Sequence, residues 1–270
     1  MMHACGHDGH SAALLGFARR IKDQKLKYNV ILIFQNSEEN GSGGKAMYEY
    51  LKCHYQIDAI FGFHIMPFIK KHHIVSSNDT LMYASEEINI DIHGKMMHVG
   101  MRELGIDSIK IASELIQRYA SIDHQDAFIH IGEICGGNAR NVVCDHIVMK
   151  GTLRAKNQQC LKELKKRIMF IHRMMNKHYK VLIHMSFQSK YPAVINDKAL
   201  YHKLQSFLPI YTLDKPYMLS EDFSYYQSIP SVFMFIGTGT THMLHTPQFD
   251  FDESILMTMI DTYEKILNCL

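Results

Sequence analysis

The hydrophobic pattern of the chain changes near residue 85 and changes back after residue 196. Before the first change, apolar runs at 28–34 and 58–64 are nearly continuous, which is typical of strands buried on both faces of a parallel sheet. At 86–93 polar and apolar residues alternate instead, as in a strand with one solvated face. We therefore predict an α/β domain that is interrupted by an inserted α+β domain.

The predicted elements define where this insertion begins and ends. In the outer segments we predict helices at 11–22, 45–53, 197–207 and 251–267, and strands at 28–34, 58–64 and 231–236. In the insertion we predict strand, helix, strand, strand, helix and strand at 86–93, 106–121, 128–133, 145–155, 160–179 and 180–188. That order is the ferredoxin-like pattern. The predicted domains are thus 1–84 joined to 197–270, and 85–196.

Composition excludes several classes of protein. The chain has 270 residues, 47% of them hydrophobic and 21% charged, which excludes a disordered or fibrous chain. The net charge of +2 is scattered, so we expect no nucleic-acid partner. We also expect no membrane partner, because no apolar run has a spanning length and no signal peptide precedes the first helix. Six cysteines without a CxxC pair favour a reducing cytoplasm.

Side chains that can bind a metal occur on four predicted loops. They are Cys5 and His7, Glu38 and Glu39, His64, and His245. The last three loops follow predicted strands, and the carboxyl ends of such strands are where open α/β sheets bind ligands. Imidazole, thiolate and carboxylate donors suit zinc, manganese or cobalt better than calcium or magnesium. Of two adjacent glutamates, one can bind metal while the other takes a proton from the attacking water.

Each of these signals has a simpler explanation when it is taken alone. Cys5 fits a buried small apolar residue or an oxidisable thiol, and a Glu-Glu pair is usually a solvated loop. A histidine at a strand end is more often a packing residue. Cys5 could also be the nucleophile of a cysteine hydrolase, with a nearby histidine as its base. The coincidence of all four loops at one sheet edge favours the metal site.

Several motifs, in order along essentially the whole chain, resemble one enzyme family. The motifs are His3-Ala4-Cys5-Gly6-His7-Asp8-Gly9-His10, Phe34-Gln35-Asn36-Ser37-Glu38-Glu39, Gly62-Phe63-His64-Ile65-Met66-Pro67, Gly94-Lys95-Met96-Met97-His98, Gly136-Gly137-Asn138-Ala139-Arg140-Asn141-Val142, Gly151-Thr152-Leu153-Arg154, Ser220-Glu221-Asp222-Phe223 and Leu244-His245-Thr246-Pro247. Together they resemble the amidohydrolase branch of the M20 metallopeptidases. The resemblance implies an α/β, zinc-peptidase-like three-layer catalytic domain with an inserted ferredoxin-like domain that acts as a lid and in dimerisation.

The resemblance also implies roles for individual residues. Five side chains resemble ligands of two divalent metal ions that share the cysteine: Cys5, His7, Glu39, His64 and His245. Glu38 resembles the general base. His98 resembles a histidine that reaches the substrate of the other subunit in a homodimer, and the strand entering Gly94 is predicted to be the pairing edge. Asn141 and Arg154 resemble residues near the substrate carboxylate, while Glu221 and Asp222 resemble supports beneath the metals.

The implied reaction is hydrolysis of the amide bond of N-acyl amino acids or similar small amides. The chain departs from the family in having Asn36-Ser37 where Pro-Ala is usual. The family also has a further N-terminal segment before the first motif, so the catalytic domain is predicted to be incomplete at that end. The alternative to an active enzyme is therefore a catalytically impaired remnant that binds metal.

Overall fold

The computed structural model describes residues 4–40 and 43–270, and His3 of the first motif lies outside them. The chain forms two compact units. The first unit comprises Met1–Leu81, Val194–Tyr217 and Asp222–Leu270, and the second comprises Met82–Ala193 and Met218–Glu221. Among the described helices, none has both the length and the apolar character needed to span a membrane.

Six α-helices and twelve strands are present in the described part of the chain. The helices are α1 (His7–Ile21), α2 (Gly43–His54), α3 (Ser108–Ala120), α4 (Gln158–Tyr179), α5 (Lys198–Gln205) and α6 (Ser254–Cys269). The strands are β1 (Ile60–Met66), β2 (Ile74–Ser76), β3 (Thr80–Met82), β4 (Ala84–His93), β5 (Met97–His98), β6 (Ala127–Gly136), β7 (Val142–Val143), β8 (His146–Ala155), β9 (Leu182–Tyr191), β10 (Val194–Ile195), β11 (Ile210–Thr212) and β12 (Ser231–Gly237).

A four-stranded sheet, ordered β1-β12-β2-β11, forms the centre of the first unit. β1 and β12 are parallel, whereas β2 is antiparallel to β12. All seven residues of β12 are buried, which confirms the predicted buried strand at 231–236. Helices α1 and α6 pack against each other, and the Tyr263 ring of α6 meets both Phe17 of α1 and Phe63 of β1. The sheet and these helices share one hydrophobic core.

The prediction of a strand at 28–34 is wrong. The segment has no regular secondary structure, and the side chains of Tyr28, Ile31 and Phe34 are 40% or more exposed. Only part of it, including Val30 and Leu32, packs against the core. A strand requires hydrogen bonds to a neighbouring strand, and no ladder within the described residues includes this segment.

The second unit contains an antiparallel four-stranded sheet ordered β6-β8-β4-β9. Helices α3 and α4 pack against it, and along β4 the residues Ile88, Ile90 and Ile92 are fully buried while those between them face outward. The order strand, helix, strand, strand, helix, strand is the split βαβ pattern. The prediction that the strand entering Gly94 is an edge strand is wrong. That strand is β4, and it lies in the middle of this sheet with a strand on each side.

One histidine of the second unit is buried and has a lowered pKa. His172 of α4 is 3% exposed, and its Nε2 forms a hydrogen bond of 2.5 Å with the Tyr119 hydroxyl of α3. Its Nδ1 has no hydrogen-bond partner within the described residues. Burial lowers the pKa of His172 to about 4. The unfolded chain, with a histidine pKa near 6.5, therefore takes up this proton first as pH falls.

We predict that the free energy of unfolding decreases between pH 7 and pH 4.5 partly because of His172. Between pH 7 and pH 4.5 the free energy of unfolding of His172→Gln is expected to fall by about 2–3 kcal/mol less than that of the wild type. The reason is that glutamine keeps a hydrogen-bonding group for Tyr119 but cannot be protonated. Urea unfolding at the two pH values measures the difference. His130→Gln, which replaces an exposed histidine of β6, is the control. Equal pH dependence in wild type and His172→Gln would refute the prediction.

Candidate metal centre

The first two candidate ligands flank a glycine at the start of α1. This helix begins at His7 rather than at the predicted residue 11, because Gly6 adopts a left-handed conformation with φ 84° and serves as its N-cap. A Cβ at Gly6 would lie 2.2 Å from Cδ1 of Ile65, which is fully buried on β1. Only glycine allows this close approach between the start of α1 and β1. The approach brings Cys5 and His7 to the carboxyl end of that strand.

His64, near that end of β1, is held in one tautomer. Its Nδ1 lies 2.5 Å from the Ile65 carbonyl oxygen, which can only accept, so Nδ1 carries the hydrogen. Its Nε2 lies 3.3 Å from Sγ of Cys5, and both side chains are buried. Burial lowers the pKa of His64 to about 4. A neutral imidazole with a free Nε2 lone pair is the form that binds metals.

The paired glutamates lie in a short 3₁₀ helix, Glu38–Asn40. Oε2 of Glu38 is 3.7 Å from His7 Nε2, and Oε1 of Glu39 is 4.0 Å from His7 Nδ1. Burial, followed by the negative charges of Asp222 and Glu39, raises the pKa of Glu38 to about 7. Glu39 is more exposed than Glu38, with 52% against 25% of the side chain accessible. The two adjacent carboxylates therefore have different environments.

His245 joins the cluster from the loop after β12. Its backbone is left-handed, with φ 62°, and its N–H donates to the Ala4 carbonyl at 2.6 Å. A non-glycine residue in this conformation is uncommon and requires support from its surroundings. Nε2 of His245 lies 3.6 Å from Oε1 of Glu39. The hydrogen bond to Ala4 ties this loop to the residue preceding Cys5.

The four loops thus form overlapping groups of possible ligands. Cys5, His7 and His64 form one group, and Cys5, Glu39 and His245 form another, with the ligand atoms of each group within 4.8 Å of one another. The ligand atoms of a third group, His7, Glu38 and Glu39, also lie within 4.8 Å of one another. Cys5 belongs to both of the first two groups. This arrangement suits two ions that share one thiolate, and the mixture of nitrogen, sulfur and oxygen donors suits zinc or a similar transition metal.

A second layer of polar residues supports the glutamate loop. Asp222 is 1% exposed and accepts hydrogen bonds from Gln35 Nε2 at 2.7 Å and from the Gly44 N–H at 2.7 Å. Gln35 in turn accepts from the Tyr226 hydroxyl at 2.5 Å. Asp222 therefore caps the first turn of α2, where a carboxylate is favourable. Because Gln35 lies three residues before Glu38, these bonds also fix the start of the glutamate loop.

Sequence reasoning missed two of these supporting residues. Nε2 of His10 accepts a hydrogen bond from the Ile65 N–H at 3.0 Å, and the His10 ring lies 4.6 Å from that of His64. Burial, with the charges of His64 and His7, lowers the pKa of His10, which keeps it an acceptor. Gln35 is the other. Both residues belong to motifs that resemble the family, His10 to the first and Gln35 to the motif that ends in Glu38-Glu39, and this was the usable signal.

The remaining candidates lie in the second unit. His98 is exposed on β5, and its Nδ1 accepts from the Gly100 N–H at 3.1 Å. Asn141 is nearby, since its carbonyl accepts from the Val99 N–H. Arg154 lies at the other end of β8, roughly 26 Å along the strand from His146, and donates to Ser85 and Thr152. Within this unit the structure places His98 beside Asn141 but does not bring Arg154 to them.

Arg154 and Glu221 are two further candidate residues of this unit, and both are at least partly buried. Burial lowers the pKa of Arg154, although the nearby charge of Glu87 opposes this effect. Glu221 is 8% exposed and belongs to the second unit, whereas its neighbour Asp222 belongs to the first. The support beneath the candidate metal centre within the first unit therefore comes from Asp222.

Comparison with known proteins identifies the class of enzyme. The model of peptidase family M20/M25/M40 matches residues 1–268, so the chain belongs to this family. An uncharacterized hydrolase from Staphylococcus saprophyticus is 32% identical, and the match covers 99% of this chain and 75% of the relative. The chain is thus a hydrolase of the M20 family.

Solved structures agree with this assignment. The YXEP protein of Bacillus subtilis, described as a dinuclear metal binding peptidase of the M20 family, is 26% identical. It superimposes with a TM-score of 0.84 over 100% of this chain and 74% of its own. A tripeptidase from Staphylococcus aureus, 21% identical, gives a TM-score of 0.76 over 97% of this chain and 70% of its own. The second similarity concerns the fold alone.

Proposed function

We propose that the protein is a metal-dependent amidohydrolase that cleaves N-acyl amino acids or similar small amides. The observation that carries the proposal is the sharing of Cys5 by two groups of ligands, with Glu38 beside them. The dinuclear site described for the Bacillus subtilis relative supports a pair of ions. The proposed ligands are Cys5, His7, Glu39, His64 and His245, and the proposed ions are zinc, manganese or cobalt.

The donor chemistry fits such ions. Cys5 and His64 are buried beside one another, and a thiol and a neutral imidazole in contact are well suited to sharing a transition metal. Glu39 adds negative charge at the more exposed side of the cluster. When bound, a divalent ion polarises the scissile carbonyl and lowers the pKa of water towards about 7. Proton transfer and substrate binding are proposed to be carried out by side chains of the protein.

Glu38 is the proposed general base. It accepts a proton from the attacking water at a carboxylate oxygen and returns that proton to the nitrogen of the leaving amine. Its position in the sequence directly before Glu39 places a proton acceptor next to a proposed ligand. Asp222 and Gln35 hold this loop through the hydrogen bonds to Gly44 and Tyr226, which supports a fixed position for the Glu38 carboxylate.

The second unit is the proposed lid and dimerisation domain, with boundaries near 85–196. His98 is proposed to donate a hydrogen bond to the oxyanion in the site of the partner subunit of a homodimer, where one such donor is typically worth about 10²–10³ in rate. Asn141 and Arg154 are proposed to bind the substrate carboxylate, and because Arg154 does not lie beside Asn141 within the second unit, they are proposed to do so from different subunits of the homodimer. The planar, five-donor guanidinium of Arg154 suits that role. His98 and Asn141 are exposed, which leaves them accessible to a substrate.

Hydrolysis assays on the metal-loaded chain test this proposal. We expect release of free amino acid from N-acetyl or N-benzoyl amino acids after loading with zinc, manganese or cobalt. Activity should disappear with a chelator and return when the metal is restored. Metal binding without turnover on the whole panel would instead favour the impaired remnant. Turnover that survives chelation and is lost in Cys5→Ser would favour a cysteine nucleophile.

A further inference from the structure

A second cluster of potential metal ligands lies on the sheet of the second unit. Nε2 of His93 is 2.9 Å from Oδ1 of Asp91, and Nε2 of His146 is 2.8 Å from the same oxygen. The two imidazole rings are stacked, with centroids 4.7 Å apart. One carboxylate oxygen therefore lies close to two imidazole nitrogens, and it forms a hydrogen bond with Nε2 of His146. Their ligand atoms all lie within 4.8 Å of one another.

The strand register explains why these side chains meet. Asp91 and His93 are two residues apart on β4, so both face the side of the sheet opposite the buried Ile90 and Ile92. His146 of β8 is directly opposite His93. Adjacent strands hold such opposed Cβ atoms about 4.5–5.5 Å apart. The cluster is thus built on a regular sheet rather than on a loop.

A third histidine reaches the same patch from the other neighbouring strand. His184 of β9 is directly opposite Asp91, and its ring centroid lies 6.0 Å from that of His93. His93, His146 and His184 are all exposed. Three strands therefore contribute three imidazoles and one carboxylate to one accessible face of the sheet.

We propose that Asp91, His93 and His146 form a further binding site for a divalent transition-metal ion, with His184 as an additional ligand. Around a tetrahedral zinc ion with bonds of about 2.0–2.1 Å, neighbouring ligand atoms lie roughly 3.3 Å apart. The observed distances of 2.8 and 2.9 Å to Asp91 need to lengthen only slightly. Each histidine binds the ion through the lone pair of its Nε2 and carries its single hydrogen on Nδ1, so a neutral ring changes tautomer and releases no proton. The ion links β8, β4 and β9.

Imidazole and carboxylate donors at this geometry select zinc, copper or nickel over calcium or magnesium. The ion is bound at the surface, so it exchanges readily with ions in solution. This site is distinct from the candidate metal centre, because it uses none of the residues of the first unit.

Chemical modification of histidines with and without zinc tests the site on the full chain. Diethyl pyrocarbonate reacts with free imidazole nitrogens, and mass spectrometry of peptides locates each modified residue. With zinc in excess over all sites, modification of His93 and His146 should fall to background. The exposed His130 of β6 should be modified equally with and without zinc, which makes it an internal control. Equal modification of His93 and His146 under both conditions would overturn the proposal.

Substitution of the shared carboxylate provides an independent measurement. Asp91→Asn keeps the shape of the side chain but removes its charge, and it is expected to weaken zinc protection of His93 and His146 at least about tenfold. Glu87→Gln, which alters an exposed carboxylate on the same face of β4, is the matched control and should leave protection unchanged. Protection that is the same in Asp91→Asn as in wild type would exclude Asp91 as a ligand.

Discussion

Glu38→Gln is expected to lower kcat by about 10²–10⁴ while leaving the metal content of the protein unchanged. Glutamine preserves the size of the side chain but cannot accept the proton of the attacking water, and general-base catalysis is typically worth that factor. Glu38 is the less exposed carboxylate of the pair and lies 3.7 Å from His7. The measurements are steady-state hydrolysis of an N-acyl amino acid and metal analysis of the same sample.

Glu39→Gln is the matched comparison because it makes the same chemical change one residue away. It removes a proposed ligand oxygen. Substitution of a residue that only hydrogen-bonds to a metal ligand typically lowers metal affinity roughly 10–100-fold, and we expect a larger loss for Glu39→Gln. Its activity should recover in part at high metal concentration, whereas that of Glu38→Gln should not. Loss of metal from Glu38→Gln and full metal content in Glu39→Gln would reverse the two assignments.

Gly6→Ala is expected to destabilise the first unit by about 2–5 kcal/mol and to weaken metal binding at the candidate centre. A left-handed conformation costs an alanine about 1–2 kcal/mol, and forcing a methyl group into a packed core costs about 1–3 kcal/mol. Here the added Cβ would lie 2.2 Å from Cδ1 of the fully buried Ile65. Either the Ile65 side chain or the backbone at Gly6 has to move, and a shift of the backbone displaces Cys5 and His7, which flank Gly6.

Gly132→Ala is the control for this substitution. Gly132 lies on β6, and a Cβ added there would meet no atom within 4 Å. It is expected to change the free energy of unfolding by no more than about 0.5 kcal/mol and to leave metal binding intact. Urea unfolding and metal titration compare the two variants. Wild-type stability and metal content in Gly6→Ala would show that the left-handed glycine does not set the geometry of the ligands.

Long, strongly patterned segments could be predicted from the sequence. The continuous apolar runs that became β1 and β12 indicate strands in the interior of a sheet, and the alternating residues of β4 define a strand and its buried face. The error at 28–34 shows the limit of such patterns: apolar content does not tell whether a segment finds a hydrogen-bonded neighbour. Short strands such as β2 and β10 were not predicted, because two or three residues carry no readable period.

Strand order and the supporting contacts were harder to predict because they depend on residues far apart in sequence. That β4 is central rather than an edge follows only from its pairing with both β8 and β9. All of the proposed ligands match motifs of the family, but only His64 and His245 also lie at or after the end of a strand. The bonds from Gln35 and Gly44 to Asp222 join residues 187 and 178 positions apart, and no local pattern signals them.

The proposed activity depends on Cys5 belonging to two metal-binding groups at once. Anomalous diffraction at the zinc edge, from crystals of the full chain grown with zinc, locates the ions. We expect two peaks in the first unit, both within about 2.3 Å of Cys5 Sγ, with one near His64 and one near His245. A single peak in that unit, or peaks more distant than a bond from Cys5, would refute the shared thiolate.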